Sequence, residues 1–90
     1  MNVLIVDDDD VLRGLLAREL HRSGHEVTQA GDATAGVARL AEAEPDVLLL
    51  DLMLPDRSGI DVLRQVRAER PALPVVMLTA HSTVDTALCA

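Results

Sequence analysis

Three short, almost wholly apolar runs, NVLIV at 2–6, DVLLL at 46–50 and VVML at 75–78, each stop abruptly at a polar residue: Asp7, Asp51 and Thr79. Near-continuous apolar strands of this length are buried on both faces, as in a parallel sheet with helices above and below, whereas a half-exposed strand alternates. The runs therefore predict an interior sheet whose strands all open onto one polar edge.

The segments between them supply the crossovers. From Val11 to about Arg22, apolar Val11, Leu12, Leu15, Leu16 and Leu20 recur at three- and four-residue spacing, with Asp9 or Asp10 as cap and Ser23-Gly24 as the stop. Residues 25–30, HEVTQA, alternate weakly and predict a more exposed strand. Asp32 then caps a helix running to about Ala43 and ended by Pro45. A loop holding Pro55 and Gly59 leads into a helix carrying Ile60, Val62, Leu63 and Val66, with Pro71 and Pro74 bracketing its end. After 75–78, Ser82 caps a last short segment, TVDTALCA. Strand and helix alternate throughout, which predicts an α/β fold with a doubly wound parallel sheet. Ninety residues leave room for one domain, 1–90, and hydrophobic residues at 49% suffice for a core that, lacking Phe, Tyr and Trp, is wholly aliphatic.

Charge narrows the function. Eight basic residues, all Arg, against 15 acidic ones give a net charge of −7, which repels nucleic-acid phosphates and anionic membranes. No apolar run approaches the roughly 20 residues of a membrane span, and Met1 leads into a strand rather than a basic leader, so a cytoplasmic protein is expected. The single Cys89 has no partner for an internal disulfide, in keeping with a reducing compartment. His21, His25 and His81 are irregularly spaced and are expected at the surface.

In an open parallel sheet, ligands collect beyond the carboxyl ends of the strands, where Asp7, Asp8, Asp51 and Thr79 all fall. Each residue taken singly has an ordinary explanation, since aspartates after strands commonly cap helices and a lone Thr serves a turn. Delivered together by three strands, the carboxylates repel one another unless a cation intervenes, and hard oxygen ligands suit Mg²⁺. With that charge screened, Asp51 is best placed to attack phosphorus. The turn from Asp51 through Pro55 to Gly59 allows a backbone carbonyl, that of Met53, to face the metal, and Thr79 can donate its hydroxyl to a phosphoryl oxygen.

These residues carry a resemblance. LIVDDDD at 4–10, LLLDLMLPDRSGIDVL at 48–63 and VVMLTA at 75–80 resemble the response-regulator receiver domains of two-component, phosphorelay signalling. The resemblance implies a flavodoxin-like fold, Asp7 and Asp8 as the acidic pair with Asp8 the more direct Mg²⁺ ligand, Asp51 as phosphoacceptor and Thr79 as switch hydroxyl. It also implies a sensor histidine kinase as donor and no enzymatic action except on the module's own phosphoryl group. MLTAHSTVDTAL at 77–88 further resembles receivers fused to NtrC-type AAA+ transcriptional activators, which implies an output domain beyond residue 90. Family members continue through a fifth strand carrying an aromatic switch residue, a lysine and a fifth helix, none of which appears in these 90 residues. The final segment carries no helix stop signal, so a boundary inside a longer chain is expected. Strand 75–78 is then an exposed apolar edge, which predicts self-association.

Two other functions compete. A haloacid-dehalogenase-like phosphatase also uses an Asp after an apolar strand, but needs a second Asp two residues on, where Met53 stands. A pseudo-receiver, or an incomplete fragment acting only through protein interaction, is favoured by the absence of lysine and opposed by the intact Asp7, Asp8, Asp51 and Thr79.

Overall fold

A computed structural model describes residues 1–78 of the chain, so Thr79, His81, the Ser82 cap, Cys89 and the segment that follows strand 75–78 lie outside the described residues. The elements run β1 (Asn2–Val6), α1 (Asp10–Arg22), β2 (Glu26–Ala30), α2 (Ala33–Ala43), β3 (Val47–Asp51), α3 (Gly59–Glu69) and β4 (Val75–Leu78). The strands form one sheet in the order β2-β1-β3-β4, every neighbouring pair parallel. This is the doubly wound, flavodoxin-like arrangement, and the order reverses beside β1.

Alternation within the strands divides the core in two. Leu4, Val6, Leu48 and Leu50 face α2 and α3, where Ala33, Leu40, Val62 and Val66 close over them. Val3 and Ile5 point to the opposite face, against Ala17, Leu16 and Leu20 of α1. β1 has α1 on one face and α2 on the other, so its apolar residues need no alternation with polar ones, whereas β3 is buried at Leu48 and Leu50 on the α2–α3 face and half-buried at Val47 and Leu49 on the other. Leu4, Ile5 and Leu50 are fully buried.

The caps follow the chemistry of the residues at the helix starts. Asp9 accepts from Leu12 N at 3.0 Å to open α1, Asp32 accepts from Ala35 N at 2.7 Å to open α2, and Ser58 accepts from Ile60 N at 3.1 Å to open α3. At the end of α2, Glu44 takes a left-handed conformation (φ 46°) just before Pro45, which cannot continue the helix. No helix among the described residues is long and apolar enough to cross a membrane.

Two expected helix faces differ from those observed. Val11 and Leu15, counted in the apolar stripe of α1, are 74% and 56% exposed, while Ala17 is buried. At 100° per residue the five apolar positions span half the helix circumference, and the sheet takes only the half that holds Leu16, Ala17 and Leu20. Ile60 is likewise exposed, because α3 turns Val62 and Val66 inward. Of the histidines, His21 is exposed and His25 half-buried, its Nδ1 lying 3.3 Å from the Met1 amino group.

Candidate metal centre

The four consecutive aspartates after β1 have four different environments. Asp7 is 3% exposed and fixed at three points: its N–H donates to the Ala30 carbonyl (3.1 Å), its carbonyl accepts from the Arg13 guanidinium (2.6 Å), and its Oδ1 accepts from Asp9 N (2.9 Å). Asp8 is exposed at the mouth of the site. Asp9 caps α1, and Asp10 pairs with Arg13 at 2.7 Å across one helical turn.

Asp51 enters from β3, as its last residue, and is also 3% exposed. The parallel register of β1 with β3, Val6 opposite Leu50, brings the residues that follow to the same edge. Carboxylate oxygens of Asp7, Asp8 and Asp51 all lie within 4.8 Å of one another. Burial pushes the Asp51 carboxyl above its ordinary range; the neighbouring Asp7 and Asp8 charges add to this, and the Met53 N–H, which donates to Asp51 Oδ1 at 3.1 Å, opposes it. A carboxylate held like this among others calls for a cation. Three hard oxygen donors, with no nitrogen or sulfur among them, fit Mg²⁺.

The loop after Asp51 is shaped by backbone contacts. Gly59 N donates to the Leu52 carbonyl at 2.8 Å, and Met53 and Ser58 form an antiparallel bridge that closes the turn. A side chain at position 59 would run into the Asp51 carbonyl and come within 2.6 Å of Leu52 Cα, so only glycine lets α3 begin this close to the end of β3. Leu52 N reaches across to the Leu78 carbonyl at 3.1 Å, joining this loop to the end of β4.

Sequence patterns singled out Asp7, Asp8 and Asp51, and the structure brings these three together; Thr79 is outside the described residues. They did not single out Arg13 or Asp56. Arg13 was detectable in part, since it stands three residues after Asp10 on a helix, but its bonds to Asp7 O and Gln29 Oε1 depend on packing against β2. Asp56 left no local signal: its partners, Ala33 and Thr34, precede it by more than 20 residues.

Comparison with known proteins places this geometry. Residues 3–90 match the family model for the response regulator receiver domain. The chain is 45% identical over 85 residues to the probable transcriptional regulatory protein TcrX of Mycobacterium tuberculosis, covering 94% of this chain and 36% of that protein. It is 40% identical over 88 residues to the DNA-binding transcriptional regulator NtrC of Salmonella typhimurium, covering 98% of this chain and 19% of NtrC. The chain thus spans about a third or less of these relatives. Among solved structures, a CheY-like receiver domain protein from Methanospirillum hungatei superposes with a TM-score of 0.86 at 29% identity, over 97% of this chain and 70% of that one. Response regulator TrrA of Thermotoga maritima, solved in complex with Mg²⁺-BeF, superposes with a TM-score of 0.85 at 29% identity, over 97% of this chain and 76% of its own. Apolar parallel strands, the β2-β1-β3-β4 order and an acidic cluster at the strand ends agree with these matches: the chain belongs to the response regulator receiver domain family of two-component signalling.

Proposed function

We propose that this receiver accepts a phosphoryl group on Asp51 and holds Mg²⁺ through Asp7, Asp8, Asp51 and the backbone carbonyl of Met53. The observation that carries this is the convergence of the three carboxylates within 4.8 Å, two of them buried, at the carboxyl edge of the sheet. Buried carboxylates close to one another cost stability unless a cation neutralises them, and that cost supports a cation site here.

A carboxylate oxygen of Asp51 attacks phosphorus, the bond from phosphorus to the donor atom breaks, and the leaving group keeps that electron pair. Mg²⁺, when bound, neutralises charge on the carboxylates and on the transferring phosphoryl oxygens. Asp7, held by Asp9 N–H and Arg13, keeps the acidic pair in place through the step. The Met53 N–H fixes the orientation of the Asp51 carboxylate through its Oδ1. Thr79, one residue beyond β4, donates its hydroxyl to a phosphoryl oxygen. Attack of water on phosphorus later returns the carboxylate and releases phosphate, so the module acts enzymatically only on itself.

The phosphoryl donor in this proposal is a sensor histidine kinase, the setting is the cytoplasm, and the output is transcriptional, as the names of TcrX and NtrC suggest by relation. Self-association through β4 is part of the proposal: among the described residues β4 pairs with β3 alone, and Val76 on it is 48% exposed.

The test is the intact mass of the chain after incubation with acetyl phosphate and Mg²⁺, beside Asp51→Asn. The expected result is one phosphoryl adduct in the wild type and none in the variant. A folded wild-type chain that acquires no adduct overturns the proposal in favour of a pseudo-receiver acting through protein contacts.

A further inference from the structure

The loop between β3 and α3 carries the Met53 carbonyl, and its side chain Asp56 reaches outside the loop. Asp56 Oδ1 accepts from Ala33 N at 2.9 Å; Oδ2 accepts from Thr34 N at 3.0 Å and from Thr34 Oγ1 at 2.8 Å. Ala33 and Thr34 are the first two residues of α2, and Asp32 takes the third free donor, Ala35 N, while Gly36 N bonds the Asp32 carbonyl at 2.9 Å. The first turn of α2 is therefore capped jointly by its own Asp32 and by a carboxylate borrowed from another loop.

That division of labour has a mechanical consequence. Asp32 could serve α2 from its own flank without reference to the site, whereas each bond made by Asp56 also fixes a loop three residues from Met53. Within itself the loop is closed by the Gly59–Leu52 bond and the Met53–Ser58 bridge, so a clamp at Asp56 bears on the whole loop and ties it to α2. Resting on the metal-site proposal above, we propose that Asp56 is a positioning residue: by clamping the β3–α3 loop to the first turn of α2 it sets the Met53 carbonyl against the Asp7–Asp8–Asp51 pocket. Hydrogen bonding, that from Ala33 N foremost, holds the Asp56 carboxyl down at about 2, so the clamp is ionised at neutral pH.

The matched pair Asp56→Ala and Asp32→Ala separates positioning from helix capping, because both uncap α2 and only the first releases the loop. Two readouts are taken: Mg²⁺ affinity by calorimetry, and hydrogen exchange of the amides between Met53 and Ser58. Asp56→Ala is expected to weaken Mg²⁺ binding roughly tenfold, in the range found for residues that orient metal ligands, and to speed loop exchange. Asp32→Ala is expected to lower the unfolding midpoint while leaving both readouts near wild type. Thr34→Val, which removes one of the three bonds and leaves the caps, is expected to shift both readouts in the same direction by less, and serves if Asp56→Ala does not fold. Equal behaviour of the two alanine variants in both readouts overturns the proposal. A wild-type chain that binds no Mg²⁺ overturns the metal-site reading instead, and loop exchange alone then decides the clamp.

Discussion

Replacing Asp51 by Asn removes the proposed phosphoacceptor and is expected to make the metal-free protein more stable. Asp7 and Asp51 are each 3% exposed, and at the 4.8 Å limit that bounds their oxygens two unit charges repel by about 3.5 kcal/mol for an effective dielectric near 20. Uptake of a proton by Asp51 limits that cost in the wild type, and its bond from Met53 N offsets more of it, so a net gain of about 2 kcal/mol is expected from the substitution. Asn keeps an oxygen for the Met53 N–H and turns its amide donors toward Asp7. For a chain of this length the gain corresponds to a rise of roughly 10 °C in Tm. The sign of the pH dependence follows from the direction of the shift. A carboxyl raised above its ordinary 3.8 contributes most to folding below that pH and loses the contribution as pH rises through its folded value, so the advantage of Asn is absent in acid and grows toward neutrality. Urea and thermal unfolding followed by far-ultraviolet circular dichroism in EDTA provide the assay; the chain has no aromatic side chain for fluorescence. Adding Mg²⁺ at about 100 times its dissociation constant returns about 2.7 kcal/mol to the wild type and cancels the difference. An Asn variant no more stable than wild type near neutral pH in EDTA, or an advantage that does not change with pH, refutes the reasoning.

Two glycines are expected to behave oppositely in urea unfolding. Gly59→Ala forces a Cβ against backbone atoms of Asp51 and Leu52 and is expected to cost about 2 kcal/mol, whereas Gly14→Ala, at an exposed position of α1 with nothing within 4 Å, is expected to stabilise by about 0.5–1 kcal/mol. Self-association through β4 is expected to place the wild type above monomer size in gel filtration and Val76→Lys at monomer size; a wild-type monomer removes that part of the proposal.

The order of strands and helices, the Asp32 cap, the α1 cap as one of Asp9 and Asp10, and the aliphatic core were legible in residues 1–78 because periodicity and capping act over a few neighbours. Convergence of Asp7, Asp8 and Asp51 was legible for a related reason: parallel strands deliver their carboxyl ends to one edge, so residues far apart in sequence share a site once the strands are identified. Packing alone decided the rest. The half of the α1 apolar arc that meets the sheet, leaving Val11 and Leu15 exposed, depends on where the helix axis lies over β1 and β2. The raised affinity of Asp51 for its proton requires burial beside two other carboxylates, which no single segment contains. Arg13 on Asp7 and Asp56 on α2 join segments whose meeting is set by the sheet, and a side chain carries no local mark of a partner that only the folded chain brings within reach.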